Sequence, residues 1–336
     1  MNERRARYSF LVRLLFLSIT IVLLGTFAPS RLAAPPLTTQ PALISFTPIP
    51  LDEKAPQRAR LGSLVFRGGW VLASDNPRFG GISAMEVVGG KVTAISDAGW
   101  LIAFPLPDRR TSVTGSVEAL PDGPGLAEIK SQRDSESMVI AAGHAWIGFE
   151  RQNAVWRYVT SNWSSDSHAK PPSMRRWPNN SGPEAMVRLP DGRFMVFSEA
   201  ARRQDGSNEV LLFAGDPAVA GTKAISLGYR PPTGYSATDA VQLPDGRLLI
   251  LNRRFRVLEG VSAKLVMAGL PTLNAGVVIQ GREIADMRPP VAVDNMEALS
   301  LSVENGRTII WMASDDNFNP LQRTLLMKFE LDVPAR

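Results

Sequence analysis

A chain of 336 residues, 44% of them apolar, can bury the core of one large domain behind a leader. It has no cysteine and only two histidines, His144 and His168, which excludes disulfides, thiol nucleophiles, cysteine-held metals and histidine-rich metal centres. The net charge is +5, partly in the leader; the other basic residues are scattered among acids without interleaved aromatics, so nucleic acid is not a partner the sequence supports.

In chain order, Arg4, Arg5 and Arg7 precede an apolar stretch over residues 9–28 interrupted by Arg13, with its cleanest run at 14–24. That run has the length of a signal-peptide core, and the basic flank keeps its own end in the cytoplasm. Residues 1–36 are therefore a signal peptide or membrane anchor. The remainder is expected to be periplasmic or otherwise extracytoplasmic, held at the inner membrane if the leader stays. Residues 37–60, rich in Pro, Thr and Ala, form a linker with an early strand near 43–49. From 61 to 336 short β-type runs dominate, while 160–182 and 200–209 are polar and predicted as loops.

The runs belong to a repeat. An acidic or polar residue leads into an apolar strand, a tight turn, a second apolar strand and a second polar cluster. The copies start at Ser83, Glu136, Glu184, Asp239 and Glu297, in steps of 53 (83 to 136), 48 (136 to 184), 55 (184 to 239) and 58 (239 to 297). Leu189-Pro190-Asp191-Gly192-Arg193 recurs as Leu243-Pro244-Asp245-Gly246-Arg247, and Asn305-Gly306 and Gly89-Gly90 are further hairpin turns. A period near 50 built from hairpins predicts an all-β, six-bladed β-propeller; five blades also fit the length. The segment 61–75 and the strand at 324–331 should share one blade and close the ring.

In a propeller the first strand of each blade lines the channel, which places Glu136, Glu184, Asp239 and Glu297 at one mouth. Crowded carboxylates resist ionisation unless a cation relieves them. A hard ion such as Ca²⁺ would do so, as would the neighbouring arginines, Arg151 and Arg253 among them. The same acids are equally suited to accept backbone N–H groups of the next blade, a purely architectural role. The densest oxygen cluster is Ser314-Asp315-Asp316-Asn317-Phe318-Asn319. No G-x-S-x-G elbow is present, and a triad would have to use His144 or His168.

Five ordered blocks, Phe79-Gly80-Gly81-Ile82-Ser83, Asp134-Ser135-Glu136-Ser137, Asn180-Ser181-Gly182-Pro183-Glu184-Ala185, Asp294-Asn295-Met296-Glu297-Ala298-Leu299 and Ser314-Asp315-Asp316-Asn317-Phe318, resemble the phytase-like family, "esterase-like activity of phytase". The third block departs from it, with Pro183 where an aromatic is usual. The resemblance implies an exported propeller and hydrolysis of a small anionic ester or phosphoester with Ca²⁺. Under it, Glu184 and Glu297 are the catalytic candidates. Glu136, Asp315 and Asp316 are the metal candidates, and Arg151 and Arg253 are the substrate-binding candidates. The rival expectation is a non-enzymatic propeller that binds a ligand or protein at its channel mouth.

Overall fold

The computed structural model describes residues 40–108, 110–127 and 129–333. The predicted leader, 1–36, lies outside them; among the described residues no helix is long and apolar enough to cross a membrane.

The described strands group into five four-stranded antiparallel blades. Blade 1 is Ile82–Val88, Lys91–Ser96, Trp100–Pro105 and Ser112–Ala119. Blade 2 is Ser135–Ala141, His144–Phe149, Ala154–Val159 and Ser165–Ala169. Blade 3 is Pro183–Arg188, Phe194–Arg202, Asn208–Phe213 and Ala224–Tyr229, with the short strand Val278–Ile279 added in parallel at its edge. Blade 4 is Ser236–Gln242, Leu248–Arg256, Gly260–Ala268 and Gly281–Met287. Blade 5 takes Met296–Glu304, Arg307–Ser314 and Thr324–Leu331 from the C-terminal part and its outer strand, Leu64–Ser74, from the N-terminal part.

This is the propeller the repeat predicts, with the ring closed by the shared blade. The blade number is five rather than the favoured six, because segment 64–74 completes the last repeat instead of adding a sheet. The early strand is Gln40–Pro48. It pairs with the outer strands of both blade 1 and blade 5 and so bridges the closure. Ser165–Ala169, expected as loop, is the outer strand of blade 2. Its polar composition suits an edge that faces water, and it hides the alternation by which a strand is recognised.

The turns explain the register. Gly192 and Gly246 hold φ of 87° and 85°, Asp191 and Asp245 each accept the N–H two residues on at 3.1 Å, and Leu189 and Leu243 close the loops onto Arg193 and Arg247. The repeated five residues therefore make the same turn in blades 3 and 4. Apolar side chains collect in five clusters, one at each blade-to-blade seam. Trp311, Phe104 and Leu326 pack the seam between blades 5 and 1, and Tyr158, Phe149 and Ile147 that between 1 and 2. Each fully buried large side chain contributes about 1.5–3 kcal/mol, so the ring is held at every junction.

Candidate functional site at the acidic channel mouth

All five inner strands carry a register shift near their first residues: between Ile82 and Ala84, Ser135 and Ser137, Pro183 and Ala185, Ala237 and Asp239, and Met296 and Ala298. The extra residue of each bulge is Ser83, Glu136, Glu184, Thr238 or Glu297. A bulge breaks the two-residue alternation and re-aims one side chain. Two of the five serve architecture. The Ser83 hydroxyl donates to the Ser135 carbonyl at 2.6 Å, and Thr238 donates to the Met296 carbonyl at 3.1 Å, each reaching the next blade. The other three are glutamates.

This alignment corrects the place given to Asp239. Its blade offers Thr238 at the equivalent position, and Asp239 lies one residue further into the channel. There it accepts its neighbour Ala240 N–H at 2.8 Å and Leu299 N–H of blade 5 at 2.7 Å. It is a buried inter-blade fastener.

A second ring stands beside the first. One residue past the partner of the residue that precedes each bulge come Asp97, Glu150, Glu199, Arg253 and Asp315. With Asp134 and the three bulge glutamates, eight carboxyl groups among the described residues meet at this mouth. Among the described residues, Lys130, Arg151 and Arg253 pair with them. Lys130 donates to Asp97 and lies 3.9 Å from Asp134; Arg151 Nε donates to Asp134 at 2.7 Å. Arg253 Nε is 2.9 Å from Glu297, and its Nη2 is 3.6 Å from Glu199.

The electrostatic result is a set of acids that release their protons less readily than ordinary carboxyl groups. Burial, and then the charges of Glu184, Asp134 and Glu150, push Glu136 well above the ordinary range. Burial and the charges of Glu199 and Glu150 do the same to Glu184. Burial chiefly lifts Glu150 to about 7, and Glu297 to about 7 against the pull of Arg253. Asp315 is raised by burial and by Asp97. Lys130 loses by burial but gains more from Asp97 and Asp134, so it stays charged. Glu150 and Glu184 share a hydrogen bond, which requires a proton on one of them.

One oxygen each of Asp134, Glu136 and Glu150 lie within 4.8 Å of one another. Asp97 Oδ1 is buried with no hydrogen-bond partner. The donors are carboxylate oxygens throughout, which suits a hard cation such as Ca²⁺ and not a soft one. The close packing needs glycine in two places. A Cβ on Gly182 would sit 2.8 Å from Glu150 Cα, and one on Gly81, at φ 62°, would sit 2.6 Å from Asp97 Oδ1.

Of the residues singled out in the sequence, the fold brings Glu136, Glu184, Glu297, Asp315, Arg151 and Arg253 to one mouth. Asp316 is engaged elsewhere: it accepts Gly81 N–H at 2.8 Å, Phe318 N–H at 3.1 Å and the Thr324 hydroxyl at 2.8 Å, fastening blade 5 to blade 1. Asp134, Glu150 and Lys130 enter the site without having been assigned roles. Both acids adjoin repeat positions; Lys130 comes from a short 3-10 turn, Lys130–Gln132, in an irregular connection. His144 begins the strand whose other end leads to Glu150, and His168 stacks on Trp156 at the outer edge of blade 2, 4.2 Å between centroids. Neither is placed to serve a triad at the mouth.

No curated protein sequence matches the chain. Solved structures similar to it include the Podospora anserina α-L-arabinofuranosidase in complex with cellotriose (11% identity, 87% of this chain and 98% of that one, TM-score 0.48). Others are a thermostable family-43 glycoside hydrolase (10%, 77% and 95%, 0.49) and the calcium-binding protein regucalcin from Agrobacterium tumefaciens (15%, 87% and 96%, 0.41). The family described as "Phytase-like: Esterase-like activity of phytase" matches residues 77–318, from the connection before blade 1 to the last connection of blade 5, and the chain belongs to it.

Proposed function

We propose that the acidic mouth is a cation-assisted hydrolytic site for a small phosphoester or related ester, with Ca²⁺ as the cation. The observation that carries this reading is the surplus of buried carboxyl groups over cations where three re-aimed glutamates converge. An architectural role accounts for Ser83, Thr238, Asp239 and Asp316, whose polar atoms meet the backbone of neighbouring blades, but not for Glu136, Glu150 and Glu184, which face each other.

Asp134, Glu136 and Glu150 would hold the ion, with Asp97 beside them. When bound, it supplies positive charge that polarises an ester oxygen and makes water a better nucleophile. The chain's own groups do the rest. Glu184 lies against Glu150 and retains a proton that it can give to a leaving oxygen. Glu297, at about 7, is poised to take or give a proton near neutral pH. Arg253 is committed to Glu297 and Glu199, so it positions the acid rather than meeting substrate. Arg151, exposed at the rim, is the group placed to meet an anion. The basic flank of the leader supports a location outside the inner membrane for this activity.

The test is phosphate release from an aryl phosphate, and acid release from an aryl carboxyl ester, by purified protein titrated with Ca²⁺ and then chelated. Calcium-dependent turnover supports the reading. Folded protein that binds calcium and turns over neither substrate would make the mouth a binding site instead.

A further inference from the structure

The rim of the acidic mouth carries a feature the proposed reaction does not use. In blade 4 the second strand continues past Arg253. Its ladder runs on through Arg254 with Ser262, Phe255 with Val261 and Arg256 with Gly260, so a paired hairpin extends past Arg253. In blade 1 the equivalent strand stops at Ser96, and the chain turns through Asp97, Ala98 and Gly99. The blade 4 extension is therefore not required to build a blade. At its tip Phe255, Val257 and Leu258 are 49%, 66% and 98% exposed. On connections at the same face, Leu126 and Leu321 are also exposed.

Arginines lie on this tip and on other connections of the same face. Arg254 and Arg256 share a single partner, Glu259, at 2.6 and 3.1 Å, which leaves the hairpin with an uncompensated positive charge. Exposed Arg202 lies on the neighbouring hairpin of blade 3, exposed Arg230 on the connection from blade 3 to 4, and exposed Arg175 and Arg176 on the connection from blade 2 to 3. That last connection touches the mouth, since Asn179 O accepts Arg151 N–H at 3.1 Å. The carboxyl groups of the mouth lie back in the channel, and the exposed acids beside the tip, Glu259 on its own hairpin and Asp205 on the next, each sit among more than one arginine.

A single exposed leucine needs no explanation. Three large apolar side chains exposed on one hairpin tip, with arginines on the same face, fit an interfacial contact in which apolar groups enter the headgroup layer and cations meet anionic lipid. The apolar groups stand exposed at a hairpin tip and the arginines are spread over blades 3 and 4 and the connections before them, which matches a broad anionic surface better than the groove or pocket of a protein partner. We propose that this face of the propeller seats on an anionic lipid surface, with Phe255, Val257 and Leu258 inserted. The seating is independent of the leader and of the reaction.

Because the chain has no cysteine, Leu258→Cys provides a unique thiol for an environment-sensitive fluorophore in the full chain; Val303→Cys, exposed at the strand end beside the Asn305–Gly306 turn of the opposite face, is the control. A retained leader would bring both variants to vesicles equally, so the position of the label is what reports seating. With phosphatidylcholine–phosphatidylglycerol vesicles the label at 258 should shift to the blue while that at 303 does not, and phosphatidylcholine alone should give a weaker response. Arg175→Ala with Arg176→Ala should weaken the response about fivefold per arginine, and Phe255→Ser should weaken it on both kinds of vesicle. Silence at 258 with every vesicle, or equal shifts at 258 and 303, overturns the proposal. So does a shift that needs no vesicles and grows with protein concentration, which would identify a second copy of the chain as the occupant.

Discussion

Asp239 and Glu136 occupy almost the same point on the inner strands of their blades, and both are carboxyl groups withdrawn from water. Asp239 looks along the channel and ends on two backbone N–H groups, one of them Leu299 of the next blade. Glu86, deeper in the channel, behaves similarly, accepting the Ser300 hydroxyl at 3.0 Å and the Ile140 N–H. Together they line a cavity of about 560 Å³ that opens toward the Leu189–Pro190 and Leu243–Pro244 turns at the far end. Glu136 looks the other way, toward Asp134, Glu150 and Glu184. One residue of bulge separates the two directions. A carboxyl group that ends on the backbone of another blade holds the ring together; one that ends on other carboxyl groups leaves a charge problem which a ligand can solve.

The sharpest break in this comparison should come at the mouth. Glu136→Gln or Glu150→Gln removes a charged oxygen donor from the proposed cation site, and Glu184→Gln removes the retained proton. Each should lower calcium-dependent turnover by at least about 100-fold, the size of effect seen when one transition-state electrostatic group is lost. The first two should also abolish the rise in Tm produced by calcium, while Tm without calcium stays level or increases as repulsion is relieved. A variant that unfolds instead would place its glutamate with Asp239 on the architectural side.

At Asp239 the reverse is expected. Asp239→Ala leaves the Leu299 N–H buried without its partner, at a cost of about 2 kcal/mol. Urea denaturation should show that loss, and the calcium-induced gain in Tm should survive it. Unchanged stability would mean that the inter-blade hydrogen bond is dispensable.

The sequence carried the repeat, the all-β class, the closure by a shared blade and six of the seven candidate residues that now meet at the mouth. These are properties of short windows: Asp-Gly turns, apolar runs and acids that precede them. What it concealed depends on pairing. A bulge cannot be seen in one strand alone, so Thr238 and Asp239 were indistinguishable as the blade 4 equivalent of Glu136. The outer strand of blade 2 lacks apolar alternation because water covers it. Lys130 reaches Asp97 from an irregular connection whose sequence has no repeat to align. Asp316 was attractive for its density of oxygens, yet those oxygens are taken up by Gly81, Phe318 and Thr324.

Protonation offers a smaller and more graded test. Burial sets Glu86 near 7 against an ordinary 4.5, so between those values the folded protein binds a proton the unfolded chain has released. Stability from this group is full below about 4.5 and lost as pH rises through about 7. Glu150 and Glu297 act in the same direction at the mouth. Without calcium, Tm should therefore fall from mildly acidic to mildly alkaline pH. Glu86→Gln should flatten part of that slope whether or not calcium is present, whereas calcium should flatten only the part owed to the mouth, and should bind more tightly as pH rises because it displaces protons. A Tm that rises across this range would contradict both ends of the comparison.

The smallest expected effect is at Arg151, where the two kinds of carboxyl pairing nearly coincide. Its side chain is 42% exposed while its partner Asp134 is buried, so solvent screens the pair and Arg151→Ala should change stability by less than about 1 kcal/mol. If Arg151 meets the substrate anion, KM should rise several-fold with kcat little changed, and Arg151→Lys should restore only part of the loss because a point charge replaces a forked donor. If it only restrains Asp134, the apparent calcium affinity should move instead and KM at saturating calcium should not. A calcium titration at several substrate concentrations separates the two roles, because the first changes how the site meets an anion and the second changes how it holds a cation.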